Sequence, residues 1–404
     1  MTIPSLPHVL PGARAGEDVP LATLAEATRG ALSTEISLLG LRIRRLPQWT
    51  AAQYGDDRFL DVVSRHGSGV RLEFETTAAW IELDGRWDVL RIQGAVLPPP
   101  VVVVEVAGAP PVAQPLPAGF GVDLLDARGE VTHEPGAETR MRLDLPGAPQ
   151  ARAVTVWLPP AARTTIAHAR SDAPLAPRAE AKRRWVHYGS SISQCLDADD
   201  PRDVWPVAVA RRLGLDLVNL GLAGEAHLDP FVARAIRDAA PDVITLKVGV
   251  NIVGGATMKA RTLRAAMHGF LDTLREGLPT TPVTVISPVF CPDLEAVPSA
   301  PDSRVEATPA CDEAIPARDD RLTMPAARAI LREVVAVRSS DDGHLAYLDG
   351  TLLLDAADAD LFPDRIHPSP AGYRRMAERF LHANHLPGFV VPPRPMPRPL
   401  ARVG

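Results

Sequence analysis

From Arg184 onward the chain alternates short apolar runs with segments of helical period, and few architectures accept that alternation. The strand candidates are 184–188, 215–220, 243–248, 283–286 and 345–348. Between them, Phe231, Ala235 and Ile236 share one helical face, and Met267, Phe270, Leu271 and Leu274 recur at three- and four-residue spacing. Ile330, Leu331, Val334 and Val335 do the same, and Tyr373, Met376, Ala377 and Phe380 give a closing helix. Strands that alternate with helices pair in parallel through right-handed crossovers. The sequence therefore predicts a three-layer α/β/α domain over residues 177–404. Open sheets of this kind collect their chemistry beyond the carboxyl ends of the strands.

Residues 1–176 carry a different pattern. Arg71-Leu72-Glu73-Phe74-Glu75 and Met141-Arg142-Leu143-Asp144-Leu145 alternate polar with apolar residues. Trp80 to Leu83, Val101 to Val106 and Val154 to Leu158 are further strand candidates. Turn signals fall between them at Asp84-Gly85, Gly94, Arg128-Gly129 and Pro146-Gly147. Short strands so punctuated, with hardly any helix, predict an antiparallel, jelly-roll-like β-sandwich. Residues Leu21 to Leu32 read as a lead-in helix. The stretch from Ala161 to Lys182 loses periodicity and gathers Ala, Arg and Pro, so it reads as a linker, with the boundary near Pro177.

The charge balance excludes some classes of function. A formal net charge of -6, with no basic run longer than Lys182-Arg183-Arg184, does not suit a nucleic-acid partner. The three cysteines, Cys195, Cys291 and Cys311, have no Cys-x-x-Cys spacing; they point away from a zinc site and toward a reducing compartment, leaving a Cys291–Cys311 bridge as the minor alternative. Residues 1–20 lack the apolar core of a secretory signal, and no apolar run reaches membrane-spanning length. The expectation is a soluble cytoplasmic protein without metal or organic cofactor. One interval, Pro292 to Pro325, holds six prolines and many acidic residues; it leaves the carboxyl edge of the sheet and reads as a lid or, alternatively, as a surface segment without order.

Four stretches at strand ends or in the terminal loop carry the candidate chemistry: Gly189-Ser190-Ser191-Ile192-Ser193, Asn219 to Glu225, Gly249-Val250-Asn251, and Asp364-Arg365-Ile366-His367. The three-residue spacing from Asp364 to His367 brings a carboxylate onto one imidazole nitrogen. The other nitrogen is then free to take the proton of a serine hydroxyl, which is a poor nucleophile without such a base. Ser191 N–H, Gly224 N–H and the Asn251 amide are candidate donors to an oxyanion. Each stretch also has an ordinary reading: a serine helix cap, a turn glycine, a loop asparagine, an acidic residue at a helix start. The glycines at 249 and 254 mimic a phosphate loop, but Gly255-Ala256 stands where Lys-Ser/Thr is required, and that reading is rejected.

In this order the four stretches resemble the blocks of the SGNH (GDSL-type) hydrolases, over residues 183 to 385. Ser190 stands where that family usually has aspartate. The resemblance implies a flavodoxin-like catalytic domain with Ser191 as nucleophile, His367 as base with Asp364, and Ser191, Gly224 and Asn251 as the oxyanion hole. The preceding sandwich resembles the one found in some bacterial members, including certain carbohydrate esterases. The expected activity is hydrolysis of carboxylic esters through an acyl-enzyme, on short-chain acyl esters of a sugar or small molecule. Two alternatives stay open: an acyltransferase with the same triad and an alcohol acceptor, and a non-catalytic carbohydrate-binding protein. His227 reads as either a substrate contact or a packed loop histidine, His187 as a hydrogen-bonded core histidine, and Trp185 and Trp205 as core.

Overall fold

Alternating burial along the strands of the first half folds it into two sheets. The computed structural model describes residues 16–147, 150–178, 182–295, 321–383 and 386–389. One sheet of the sandwich has eight strands and is built on the long strand Trp80–Ile92 beside Ala162–Ser171; the other has six and is built on Arg71–Thr76, Arg152–Trp157 and Val101–Val106. Leu72, Phe74, Ile81, Leu83, Trp87, Val104 and Val156 fill the space between them.

Several features differ from the sequence reading, each for a visible reason. The expected linker contains two strands: Ala162–Ser171 pairs with Trp80–Ile92, and Leu175–Pro177 pairs with Arg71–Thr76. Small residues hid the first of these, because Ala162, Thr164, Ile166 and Ala169 turn inward without forming an apolar run. One pair is parallel, Trp80–Ile92 with Gly121–Leu125, because the chain between them visits the other sheet and returns in the same direction. The lead-in helix covers only Leu21–Ala27, after which Thr28 is extended and joins the smaller sheet. The sandwich also carries two short helices, Ala51–Tyr54 and Arg58–Ser64, the second capped by Asp57, whose Oδ1 accepts Leu60 N–H at 2.9 Å. The central part of the Pro292–Pro325 interval, including Cys311, lies outside the described residues; Cys195 and Cys291 are buried.

The second half is a doubly wound domain. Its strands are β1 (Arg184–Gly189), β2 (Asp216–Gly221), β3 (Val243–Lys247), β4 (Val283–Ile286) and β5 (Leu345–Leu348). They pair in parallel in the order β2-β1-β3-β4-β5. The helices that position the site are α1 (Ser191–Gln194), α2 (Trp205–Leu213), α3 (Pro230–Asp238), α4 (Val250–Gly254), α5 (Ala260–Gly277), α6 (Met324–Arg338) and α7 (Pro370–His382). The strand order reverses at β1, and the crevice beyond β1, β2 and β3 is the expected ligand position. Among the described residues no helix is long and apolar enough to cross a membrane.

The two halves meet in one apolar cluster, distinct from the core between the sheets of the sandwich. Leu46, Phe59, Val63 and Trp157 of the sandwich pack in the same cluster as Trp185, Trp205 and Leu220. Arg45 is fully buried at this junction, donating from Nη1 to the carbonyls of Asn219 (2.7 Å) and Gly221 (2.6 Å) and from Nε to that of His66 (3.0 Å). Nearby, Asn219 Nδ2 donates to Ser68 Oγ at 2.9 Å, and Arg71 Nη2 pairs with Asp216 Oδ1 at 2.7 Å.

Candidate active site

The turn after β1 is held by two glycines that leave room for α1. A Cβ at Gly189 would stand 2.3 Å from Ser193 Oγ, and one at Gly221 would stand 2.3 Å from Gln194 N. Any larger residue would lift α1 off β1 and β2, and Ser191 with it. Ser190, fully buried, caps α1: its Oγ accepts Ile192 N–H at 3.3 Å. An aspartate would make the same cap, so the substitution that separates this chain from the usual family block preserves the local function of the position.

Ser191 Oγ lies 2.8 Å from His367 Nε2, and His367 Nδ1 lies 2.7 Å from Asp364 Oδ2. Asp364 Oδ1 also accepts the backbone N–H groups of Ile366 (2.9 Å) and His367 (2.6 Å). Partial burial opposes ionisation of Asp364. Its hydrogen bonds from the His367 ring and from these two N–H groups, with the charge on His367, outweigh that and hold the carboxyl well below the usual carboxylate range. A carboxylate on Nδ1 fixes the proton there, so Nε2 of the neutral ring is the acceptor for the serine hydroxyl. Arg365, between the two residues, has φ +65°, the tight backbone that folds Asp364 back onto His367.

Facing Ser191 are groups with hydrogen-bonding capacity to spare. Gly224 has φ +75°, and a Cβ there would come within 3.1 Å of the Phe59 ring, so only glycine fits at low cost. Its N–H, like that of Ser191, makes no hydrogen bond among the described residues. Asn251, at the start of α4, accepts Ala226 N–H on Oδ1 at 3.2 Å, which leaves Nδ2 as a donor. His227 braces the same loop: its Nε2 donates to Gly224 O at 3.0 Å, and its Nδ1 is 3.1 Å from Thr257 Oγ1. The structure thus brings together all the candidate residues read from the sequence: Ser191, Asp364, His367, Gly224, Asn251 and His227 line one cavity of about 430 Å³. His187 is buried below, between Ser193 Oγ (2.8 Å) and Thr245 Oγ1 (2.6 Å), and burial, with the charge of Lys247, lowers its pKa well below that of a free histidine. Among the described residues no group of three or more His, Cys, Asp or Glu side chains could hold a metal ion.

The remaining walls escaped the sequence reading. Phe59, Ile92, Leu97 and Leu125 come from the sandwich, while Leu196, Val250, Leu294 and Ile366 come from the second domain. The helical spacing of Phe59, Leu60, Val62 and Val63 was a usable sign of the helix that carries Phe59. Nothing in the sequence said that this helix meets the catalytic turn. Asp197, without a signal in the sequence, and Tyr373, legible there only as the apolar face of the closing helix, also line the cavity.

Residues 187–375 match the model of the GDSL-like lipase/acylhydrolase family. The second domain belongs to this family. The whole chain is similar in structure to the salicylyl-acyltransferase SsfX3 from a tetracycline biosynthetic pathway: 26% identity, TM-score 0.75, covering 92% of this chain and 97% of that one. A candidate GDSL-like lipase from Bacteroides ovatus shares the fold at 19% identity and TM-score 0.64, over 92% of this chain and 97% of its own. A family two carbohydrate esterase from Cellvibrio japonicus shares it at 11% identity and TM-score 0.51, over 90% and 96%. No curated protein matches at the level of sequence. The GDSL-like domain makes this chain an enzyme of the SGNH class.

Proposed function

We propose that the protein is a serine-dependent carboxylic ester hydrolase acting through an acyl-enzyme. The observation that carries this reading is the hydrogen-bonded chain Ser191 Oγ–His367 Nε2, His367 Nδ1–Asp364 Oδ2, at 2.8 and 2.7 Å. His367 Nε2 takes the proton as Ser191 Oγ bonds to the ester carbonyl carbon. The carbonyl oxygen becomes an oxyanion received by Ser191 N–H, Gly224 N–H and Asn251 Nδ2. Collapse breaks the bond to the alcohol oxygen, which leaves with the proton from Nε2. Water then attacks the acyl-enzyme by the same route and frees Ser191. Asp364 keeps the ring in the productive tautomer and stabilises the imidazolium.

The wall chemistry bears on the acyl group. An acetyl group occupies a small part of a cavity of about 430 Å³, and the apolar side chains along it suit a larger, branched or aromatic acyl chain. Ser191→Ala is expected to lower kcat/KM for p-nitrophenyl benzoate by at least about a thousandfold and to abolish labelling by a fluorophosphonate, with circular dichroism unchanged. Undiminished hydrolysis by that variant would end the proposal.

A second reading, acyl transfer to an alcohol, is favoured by the full-length likeness to an acyltransferase and by the enclosure of Ser191 between two domains, which limits the water around an acyl-enzyme. Product partition with and without an added alcohol separates the two.

A further inference from the structure

The cavity has two polar groups that the proposed mechanism leaves unused. Asp197 follows α1 by three residues, lines the cavity, and makes no hydrogen bond or ion pair among the described residues. It sits within electrostatic reach of His367 and Asp364. Tyr373, on α7, lines the same cavity; its hydroxyl is buried, has no hydrogen-bond partner among the described residues, and lies within electrostatic reach of Asp197 and Asp364. A buried donor without a partner is costly, and a carboxylate drawn out of water is penalised further unless it is paired. Burial raises the pKa of Asp197; His367 opposes the rise and Asp364 adds to it. Two unpaired polar groups on the wall of the cavity that holds Ser191 are the form of a recognition point.

The proposed reaction says which part of the substrate meets them. His367 returns its proton to the leaving oxygen, so the alcohol portion lies on the His367 side, away from Gly224 and Asn251. Asp197 lines the cavity within electrostatic reach of His367, and Tyr373 lines it within reach of Asp197, which assigns them to that portion. A hydroxyl is both donor and acceptor, so it can give its proton to Asp197 and accept one from Tyr373.

We propose that Asp197 and Tyr373 form a hydroxyl-recognition site for the alcohol portion of the substrate, selecting esters whose alcohol carries a second hydroxyl close to the ester oxygen. This rests on the acyl-enzyme reading above and adds a substrate class to it: monoacylated diols and polyols. In the transfer direction, the same site selects polyol acceptors.

The test compares the full-length protein on 2-hydroxyethyl benzoate and propyl benzoate, which differ by one hydroxyl in place of one methyl. A hydrogen bond to a charged group contributes enough for a preference of about ten- to a hundredfold in kcat/KM for the hydroxyethyl ester. Asp197→Asn, which keeps the shape and loses the charge, reduces that ratio at least about threefold, and Tyr373→Phe, which removes only the unpaired hydroxyl, reduces it as well. The ratio cancels any common loss of fold or of Ser191 reactivity. A wild-type ratio near one, as when water alone occupies the site, or a ratio that survives Asp197→Asn, overturns the proposal. Ser191→Ala run alongside keeps the two readings apart: if it hydrolyses both esters undiminished, the acyl-enzyme reading itself has failed.

Discussion

At the scale of single residues, the site divides by how each group is satisfied. Asp364 accepts three hydrogen bonds despite its exposed position, so its orientation is fixed before substrate arrives. Asn251 is half satisfied, with Oδ1 taken by Ala226 N–H and Nδ2 left over. Asn251→Ala is therefore expected to lower kcat about a hundredfold or more for p-nitrophenyl benzoate, with KM changed much less, since the amide is used when the oxyanion forms; equal losses in substrate binding and turnover would count against that role. Ser191, Gly224, Asn251, Asp364 and His367 were legible in the sequence because each belongs to a short block at a strand end or in the terminal loop. Asp197 was not, because Asp197-Ala198-Asp199-Asp200 has the form of a solvated acidic loop, and only the fold turns the first carboxylate toward His367. Tyr373 was legible only as core, since helical spacing gives the face of a side chain and not what lies beyond its hydroxyl.

At the scale of elements, the serine turn depends on two strands accepting a helix at backbone contact. Gly221 is the closer fit, with Gln194 N at 2.3 Å and Ser193 C at 2.5 Å from the position of an added Cβ. Gly221→Ala is expected to push α1 outward, and a displacement approaching an ångström at the reacting atom costs about a hundredfold in rate. The expected outcome is that kcat/KM falls about that much while far-ultraviolet circular dichroism is retained. The apolar strands of the second domain were readable because both faces are covered by helices, so that Val243–Lys247 and Val283–Ile286 are buried throughout. Ala162–Ser171 was missed because it is buried on one face only and spends its inward positions on small residues. The helices Ala51–Tyr54 and Arg58–Ser64 were missed because the surrounding strand signals set the expectation for the whole half, although Asp57 marks a start and Phe59 to Val63 mark a face.

At the scale of the whole molecule, two architectures are joined by a shared apolar cluster and by buried polar contacts. Arg45 is the centre of these, a fully buried guanidinium satisfied by backbone carbonyls from both halves. Removing it leaves those carbonyls buried without donors. Arg45→Met is expected to destabilise the protein by about 3–5 kcal/mol, read as a lower midpoint of urea unfolding, with both halves still unfolding in one transition. Two separated transitions in the parent protein would contradict a shared cluster. The change of pattern near Pro177 made the two halves visible in the sequence, but the contacts between them were out of reach, because Arg45 and Gly221 are far apart in the chain and neither carries a signal of the other.

The placement of Arg45 has a consequence for how such a protein can change over generations. Its guanidinium grips the carbonyl of Gly221, the residue against which the serine turn is seated, so the sandwich supplies part of the framework of the catalytic half. A recombination that exchanged one sandwich for another would also have to bring a buried arginine to the same point. The two halves are thus expected to tolerate exchange poorly, whereas changes at Phe59, Ile92 or Leu97 alter the shared cavity wall directly.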